Sequence, residues 1–379
     1  MGEYCLMNMS DLTRNAYMLQ GRLAKRGYMR WFHSFSGVQA DTGVVRTFFV
    51  EYLIMNPGLG GDRPILGQHP FYRKRGMRPS YVMVKAGVFP TADGNDGRQL
   101  HAFYPINSLK VTKTPLVMQI EDCFYSENRI SGYIDVTEEE ARHRSFMTDA
   151  GTMEWNLEVY KAVACHSGIL ASPLFQFLNA LDSYWHGEGI KSFFKGTVLL
   201  DGEVYTVTPE TSYGYADKHW GRNFNRPWMQ FACGRLTSER TGRELKHSAL
   251  AVNGCCPRFL FFPLRRKLLI QLSYMGEDFC YGFQPFLLSR CKWETKETNK
   301  RYIWHITARN RTSVIKISGS CTKAQMQSLK YENPDGLLSR FPLMAGGSAI
   351  GTIQIFRRFS GGRELIDTLH MEQGFCEYR

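Results

Sequence analysis

Tyr215, Asp217 and Trp220 place a phenol, a carboxyl and an indole within one short segment, Gly214 to Gly221. In an extended chain Tyr215 and Asp217 face the same way, and Lys218 faces the other. Such a set suits acid catalysis beside an apolar surface, in which a proton is delivered and a developing cation is stabilised. A carboxylic acid can give the proton when burial among apolar groups raises its pKa. Aromatic faces can stabilise the cation and exclude water. Trp220 and Phe224 are expected to supply apolar surroundings for Asp217. The competing reading is a surface turn, with Asp217 and Lys218 solvated and Trp220 closing a barrel.

Glu51 is a second candidate acid. It stands mid-run between apolar neighbours, on the face carrying Phe49 and Leu53. A carboxylate there must be paired, protonated or at a pocket wall; its expected partner is Arg46 or a basic residue on the next strand. Glu210 is a third. Trp31, Trp228, Trp220, Phe49 and Phe224 are the expected lining of an apolar ligand site.

These residues need strands to position them, and the sequence is rich in strand-like runs. Val44 to Met55 is the strongest. Val44, Phe48, Val50, Tyr52 and Ile54 lie on one face and Val45, Phe49, Leu53 and Met55 on the other, so the run is expected to be buried on both sides. Tyr81–Phe89, Lys267–Met275, Tyr302–Ala308, Ser313–Gly319 and Thr352–Phe359 also read as strands. Asp201-Gly202 between two β-like runs reads as a two-residue hairpin turn. Thr137 with Glu140 matches a helix capping box. One mid-chain helix is expected, with Ser172 as N-cap, Pro173 at its first position, Leu174, Phe177, Leu178 and Leu181 on one stripe, and Tyr184 to Gly187 ending it.

The chain has 379 residues, 43% of them hydrophobic and 13% aromatic. That is enough for two domains, each with its own core. The net charge of +12 permits a nucleic-acid partner. However, the basic residues are scattered and no helix-turn-helix, zinc-finger or RNP-like segment appears, so no nucleic-acid partner is expected. The 10 Cys include no Cys-x-x-Cys spacing, which argues against zinc and for free thiols. Met1 to Ser10 has neither a basic nor an apolar leader region, and no run is long and apolar enough to span a membrane. A cytoplasmic location follows as the expectation. Gly58-x-Gly60-Gly61 lacks the helix of a dinucleotide fingerprint and reads as a turn. There is no phosphate-binding loop, no His-Glu-x-x-His and no nucleophile elbow. His166-Ser167 reads as a loop. Arg258 to Lys267 sets bulky apolar residues between basic ones, a composition that fits peripheral contact with an anionic membrane; the alternative is a buried strand with basic ends.

The segment GYADKHWGRNFNRPWMQFACG, Gly214 to Gly234, follows the hairpin Gly196 to Tyr205 (GTVLLDGEVY). Together they resemble the tocopherol cyclase family, in which a G-x-V-x-x-D-G-x-x-Y hairpin precedes G-Y-x-[DE]-K-x-W-G and an aromatic strand. The matching positions are Tyr215, Asp217, Lys218, Trp220, Gly221, Trp228 and Gln230. Gly27 to Phe35 (GYMRWFHSF) is similar to that family's F-E-G-W-Y-F motif, with Trp31 and Phe32 at the aromatic pair and Met29 and Arg30 in place of Glu and Gly. Leu365 to Asp367 and Gly374 to Glu377 fit its closing strands. The resemblance, which extends to carotenoid hydratases, implies an all-β fold of two lipocalin-like antiparallel barrels side by side. The expected division is 1–185 and 186–379, with a short connecting helix. It also implies acid-assisted cyclisation or addition on a hydrophobic, isoprenoid-like substrate, of isomerase or lyase type; the catalytic candidates are Asp217 and Tyr215 from the matching segment and Glu51 from its place in the strand. No metal and no cofactor are expected. The alternative is a non-catalytic carrier of a hydrophobic small molecule.

Overall fold

The structure is a computed structural model that describes residues 15–94, 96–164, 181–224, 228–256, 258–259, 262–263, 267–282, 289–337 and 343–379. Twelve strands form the first sheet. From one edge it runs through Arg98–Tyr104, Tyr81–Val88, Val45–Met55, Tyr28–Gln39, Glu203–Val207, Ser183–Leu200 and Gly151–Val163, ending with the meander between residues 109 and 136. Gly214–Gly221 pairs with both Tyr28–Gln39 and Ser183–Leu200. Eleven strands form the second sheet. Its centre is Ala249–Cys255, Trp228–Cys233, Gly362–Tyr378 and Leu343–Phe359, and Ser313–Thr322, Arg301–Arg309 and Arg290–Glu297 complete one side. The pairings are antiparallel. The fold is all-β, made of a closed barrel and a half-barrel sheet.

Both faces of the central strands are buried, for a simple reason. One face looks into its own barrel and the other onto the opposite sheet. Trp31, Val50, Tyr52, Trp155 and Trp220 belong to the interior of the first barrel. Phe231, Ile270, Trp304 and Ile353 fill the second. Tyr28, Phe32, Phe49, Leu53 and Tyr215 from the first sheet meet Trp228, Ala232, Leu343 and Phe375 from the second in a third cluster, the seam between them. Full burial of such side chains contributes roughly 1.5–3 kcal/mol each, which holds the two sheets together.

The Asp201-Gly202 hairpin forms as expected: Leu200 pairs with Glu203, and both turn residues have positive φ, 48° and 87°. That is the twist-compatible geometry that Asp-Gly favours. The Thr137–Glu140 capping box also forms, opening a helix at Glu138–Arg142. Gly58 lies within the short helical turn Pro57–Leu59, and Gly60 and Gly61 follow it with positive φ. Positions 172–180 of the expected connecting helix, and His166-Ser167, lie outside the described residues. Tyr184 to Gly187 does not end a helix; it opens the strand Ser183–Leu200, in which Trp185 faces the seam and Tyr184 the barrel interior. The sheets change over between Gly221 and Trp228, and the expected division at 185/186 falls inside that strand. Arg258–Phe259 and Phe262–Pro263 make a small two-stranded ribbon with Phe262 72% exposed. Among the described residues no helix is long and apolar enough to cross a membrane.

A stretch of the second half, Ser328 to Leu337, fastens the two sheets. Asn56 Nδ2 donates to Pro79 O at 2.7 Å and to Pro334 O at 2.8 Å. Gln99 Nε2 donates to Ser328 O at 2.8 Å, and Gln68 N donates to Glu332 Oε1 at 2.5 Å. A Cβ on Gly67 would stand 2.9 Å from Gly336 Cα, so only glycine fits there. Burial pushes the Glu332 carboxyl up to about 8, from 4.5. The folded protein therefore keeps a proton that the unfolded chain loses between about pH 4.5 and 8, and stability falls as pH rises through that window. Glu332→Gln removes the titration while keeping an acceptor for Gln68. Its Tm, compared with wild type, should gain progressively between about pH 5 and pH 9. A difference that stays constant with pH would show that Glu332 is not held neutral.

Candidate active site

The seam is not purely apolar. Period-2 alternation along Tyr28–Gln39 turns Tyr28, Arg30, Phe32 and Ser34 toward the second sheet. Strand register sets Glu51 and Asp217 on either side of Phe32, and Leu53 and His219 on either side of Arg30. From the opposite sheet come Trp228 and Gln230, with Glu377 paired to Gln230. Five of these, Arg30, Glu51, Asp217, Gln230 and Glu377, together with Lys85 on the strand beside Glu51, are essentially unexposed polar or charged side chains. Burial at this cost persists only where partners compensate.

One half of the seam is an ion network. Arg30 Nη2 donates to Glu377 Oε1 at 3.1 Å, and Arg30 Nη1 donates to Tyr331 OH at 3.0 Å and lies 3.6 Å from Glu51 Oε2. Tyr331 OH donates to Glu51 Oε2 at 2.6 Å. Lys85 Nζ is 3.7 Å from Glu51 and 3.4 Å from the centre of the Tyr331 ring. Trp228 Nε1 donates to Glu377 Oε2 at 2.6 Å. Two cations thus face two carboxylates. Burial pushes the Glu377 carboxyl up, while Arg30 pulls it down and Asp217 pushes it up again. Burial lowers Lys85 to about 8 against the pull of Glu51.

The other half is built around Asp217, which is fully buried. Its Oδ2 accepts from Trp185 Nε1 at 3.0 Å, from Tyr215 OH at 3.0 Å and from Gln230 Nε2 at 2.7 Å. Its Oδ1 has no partner among the described residues. Burial pushes the carboxyl up, opposed by Arg30 and by the bonds from Gln230, Trp185 and Tyr215. With Oδ2 engaged by three donors, Oδ1 is the oxygen left to carry a proton. Aromatic rings surround the spot: Phe375 lies 5.5 Å from Tyr215 and 4.8 Å from Phe32. Burial and Arg30 hold the His219 imidazole neutral, and it shares a 2.7 Å hydrogen bond with Tyr28 OH.

A cavity of about 10 Å³ opens beside Arg30, His219, Phe224, Trp228, Leu343 and Arg379. Phe224 also borders a surface depression of about 410 Å³ lined by Arg26, Asp182, Arg258 and Asp335. A cavity this small holds one water, so a larger molecule reaches the seam only by displacing side chains such as Phe224. Among the described residues no three His, Cys, Asp or Glu side chains are grouped to hold a metal ion.

No family model matches the chain. No curated protein matches it either. Solved structures do. The chain is similar to an AttH protein from Nitrosomonas europaea, with a TM-score of 0.42 and 10% identity over 91% of this chain and 92% of that one. It is similar to kievitone hydratase from Nectria haematococca, with a TM-score of 0.41 and 10% identity over 98% and 93%. It is also similar to CghA with Sch210972, with a TM-score of 0.44 and 11% identity over 94% and 89%.

The structure gathers Asp217, Tyr215, Glu51, Phe49, Trp228 and Phe224 at the seam. It does not gather all the expected lining residues. Trp31 and Trp220 point into the first barrel, because each is one residue out of phase with the seam-facing row. Trp31 Nε1 donates to Asn15 Oδ1 at 2.7 Å there. Glu210 is exposed. Arg46 is not the partner of Glu51; it pairs with Asp96, and Lys85 on the next strand takes the expected role. Lys218 points away from Asp217, as strand geometry requires. It enters the first barrel beside Trp31 and Trp220, where Glu188, Lys161 and Glu127 form a separate buried charge cluster. His219, Trp185, Arg30, Tyr331, Lys85 and Glu377 complete the site. Of these, Lys85 was foreshadowed as a basic residue on the strand next to Glu51, and His219 had a local signal in its even spacing from Tyr215 and Asp217.

Proposed function

We propose that the seam is the active site of an enzyme that carries out acid-assisted addition or cyclisation on a hydrophobic, isoprenoid-like substrate. Asp217 delivers the proton from Oδ1 to one alkene carbon, leaving a tertiary cation on the neighbouring carbon. An oxygen of the same molecule, or of water, bonds to that cation and loses its proton to the Asp217 carboxylate. No electron is gained or lost, and the acid is regenerated. In this reading the aromatic cluster of Phe32, Phe375 and Tyr215 stabilises the cation. Tyr215, Trp185 and Gln230 orient the carboxyl. Arg30 stands near enough to stabilise Asp217 once it becomes charged.

The observation that carries this reading is the asymmetry of Asp217: a fully buried carboxyl with three donors on one oxygen and none on the other. Buried polar atoms usually have a partner, so an open oxygen on a carboxyl that three donors already hold in place supports the acid reading. The test is turnover of a panel of prenylated quinols in D2O. Product carrying one carbon-bound deuterium is expected from wild type, and none above background from Asp217→Asn. Binding of the panel without turnover would assign the seam to carriage instead.

A further inference from the structure

Asp217 is not the only seam residue with unmet hydrogen-bonding capacity. Gln230 uses Nε2 on Asp217, but its Oε1 has no partner among the described residues. Asn253 has none for either Nδ2 or Oδ1, and it is fully buried. These groups are contiguous. Asn253 is the cross-strand neighbour of Gln230, so both side chains stand on the seam face of the second sheet, about 4.5–5.5 Å apart at Cβ. The next pair on that face is Ala232 opposite Ala251, short and apolar. Asp217, Gln230 and Asn253 therefore make a polar row bordered by an apolar strip.

A buried amide with no partner on either atom forfeits its hydration without return, so a site that retains one is built to receive something. What it receives is constrained by charge. The cations Arg30 and Lys85 are already matched by Glu51 and Glu377. An anionic or cationic head group would enter uncompensated. The Asn253 carboxamide and the neighbouring Gln230 oxygen offer an NH2 donor group and two acceptor oxygens. That pattern is answered by a neutral group with a donor and an acceptor side by side.

We propose that Asn253 and Gln230 form a subsite for a neutral, two-point polar head group of carboxamide type, which holds an apolar substrate with its alkene toward Asp217. The inference rests on the acid reading of Asp217 for its purpose, but the binding it describes can be measured apart from chemistry.

The experiment titrates purified protein with geranamide, geranate and the corresponding diene hydrocarbon, followed by tryptophan emission. Trp185 and Trp228 border the seam and report occupancy. Geranamide should bind about 10–100-fold more tightly than the other two, the worth of one or two well-made buried hydrogen bonds. Asn253→Leu should erase that preference and raise Tm, because it removes an unsatisfied buried amide. Asn253→Ala serves if the leucine does not fit, and should erase the preference equally. In Asp217→Asn the preference should persist, so loss of turnover there speaks to the acid and not to the subsite. Equal affinities for the three probes, a preference that survives both Asn253 substitutions, or no saturable quenching by any probe would overturn the proposal.

Discussion

Replacing Arg30 by methionine should lower stability by about 3–5 kcal/mol at neutral pH, the usual cost of stripping one partner from a buried ion network. The guanidinium is 2% exposed and serves Glu377, Tyr331 and Glu51 at once. Its loss leaves Glu51 with Lys85 but leaves Glu377 with only the Trp228 indole N–H. The sign of the pH dependence follows. Burial already pushes Glu377 up, and Arg30 is what pulls it down. Without Arg30 the folded state takes up a proton at higher pH than the unfolded chain does, so the penalty is full above that folded pKa and shrinks as pH falls toward about 4.5. Denaturant unfolding at about pH 5 and about pH 8 measures it. Adding Glu377→Leu to Arg30→Met should recover part of the loss, since the uncompensated charge is then gone. A loss below about 1 kcal/mol that is the same at both pH values would mean the network is not buried as described.

Replacing Asp217 by asparagine should reduce turnover about 10²–10⁴-fold, the contribution of a positioned general acid, while ligand binding survives. The substitution keeps shape and keeps an oxygen for Trp185, Tyr215 and Gln230, so the fold should be retained, with an unchanged circular dichroism spectrum as the control. The wild-type rate has its own signature. Turnover needs the protonated carboxyl, and burial raises its pKa above the ordinary aspartate value. The rate should therefore hold on the acid side of that raised pKa and fall as pH rises through it. Gln230→Leu removes a donor that favours the carboxylate, so it should move the fall to higher pH. A pH-independent rate, or full activity in Asp217→Asn, would remove the acid from the account.

Period-2 reasoning found the right strands and much of the right face. Phe48–Met55 is buried on both sides because one side fills a barrel and the other the seam, whereas Val44 and Val45 at the start of the run are 47% and 46% exposed. Tyr215 and Asp217 share a face and Lys218 does not, and both facts follow from parity alone. The same parity was available for Trp220, which shares the phase of Lys218 and so belongs inside the barrel. Its nearness in sequence to Asp217 outweighed the phase. Trp31 is the mirror case, one step from Arg30 and Phe32, the residues that reach the seam. What no local signal could give is the pairing across the molecule. Arg30 meets Tyr331 and Glu377, more than 300 positions away in the chain. Such contacts are set by strand order and by which face of the second sheet docks, and not by the composition of either segment. Asn253 shows the same limit. Within Ala249–Cys255 it reads as an ordinary strand residue, and its meaning comes from lying beside Gln230.

The central claim is that Asp217 is a neutral acid in the folded protein at a pH where an ordinary aspartate is ionised. Carboxyl-carbon NMR of protein labelled at aspartate, with the Asp217 signal assigned by its absence from Asp217→Asn, measures this directly. The account predicts a chemical shift of the protonated form that persists above about pH 3.9 and changes only at higher pH. An Asp217 carboxyl that titrates at or below that ordinary value would contradict it.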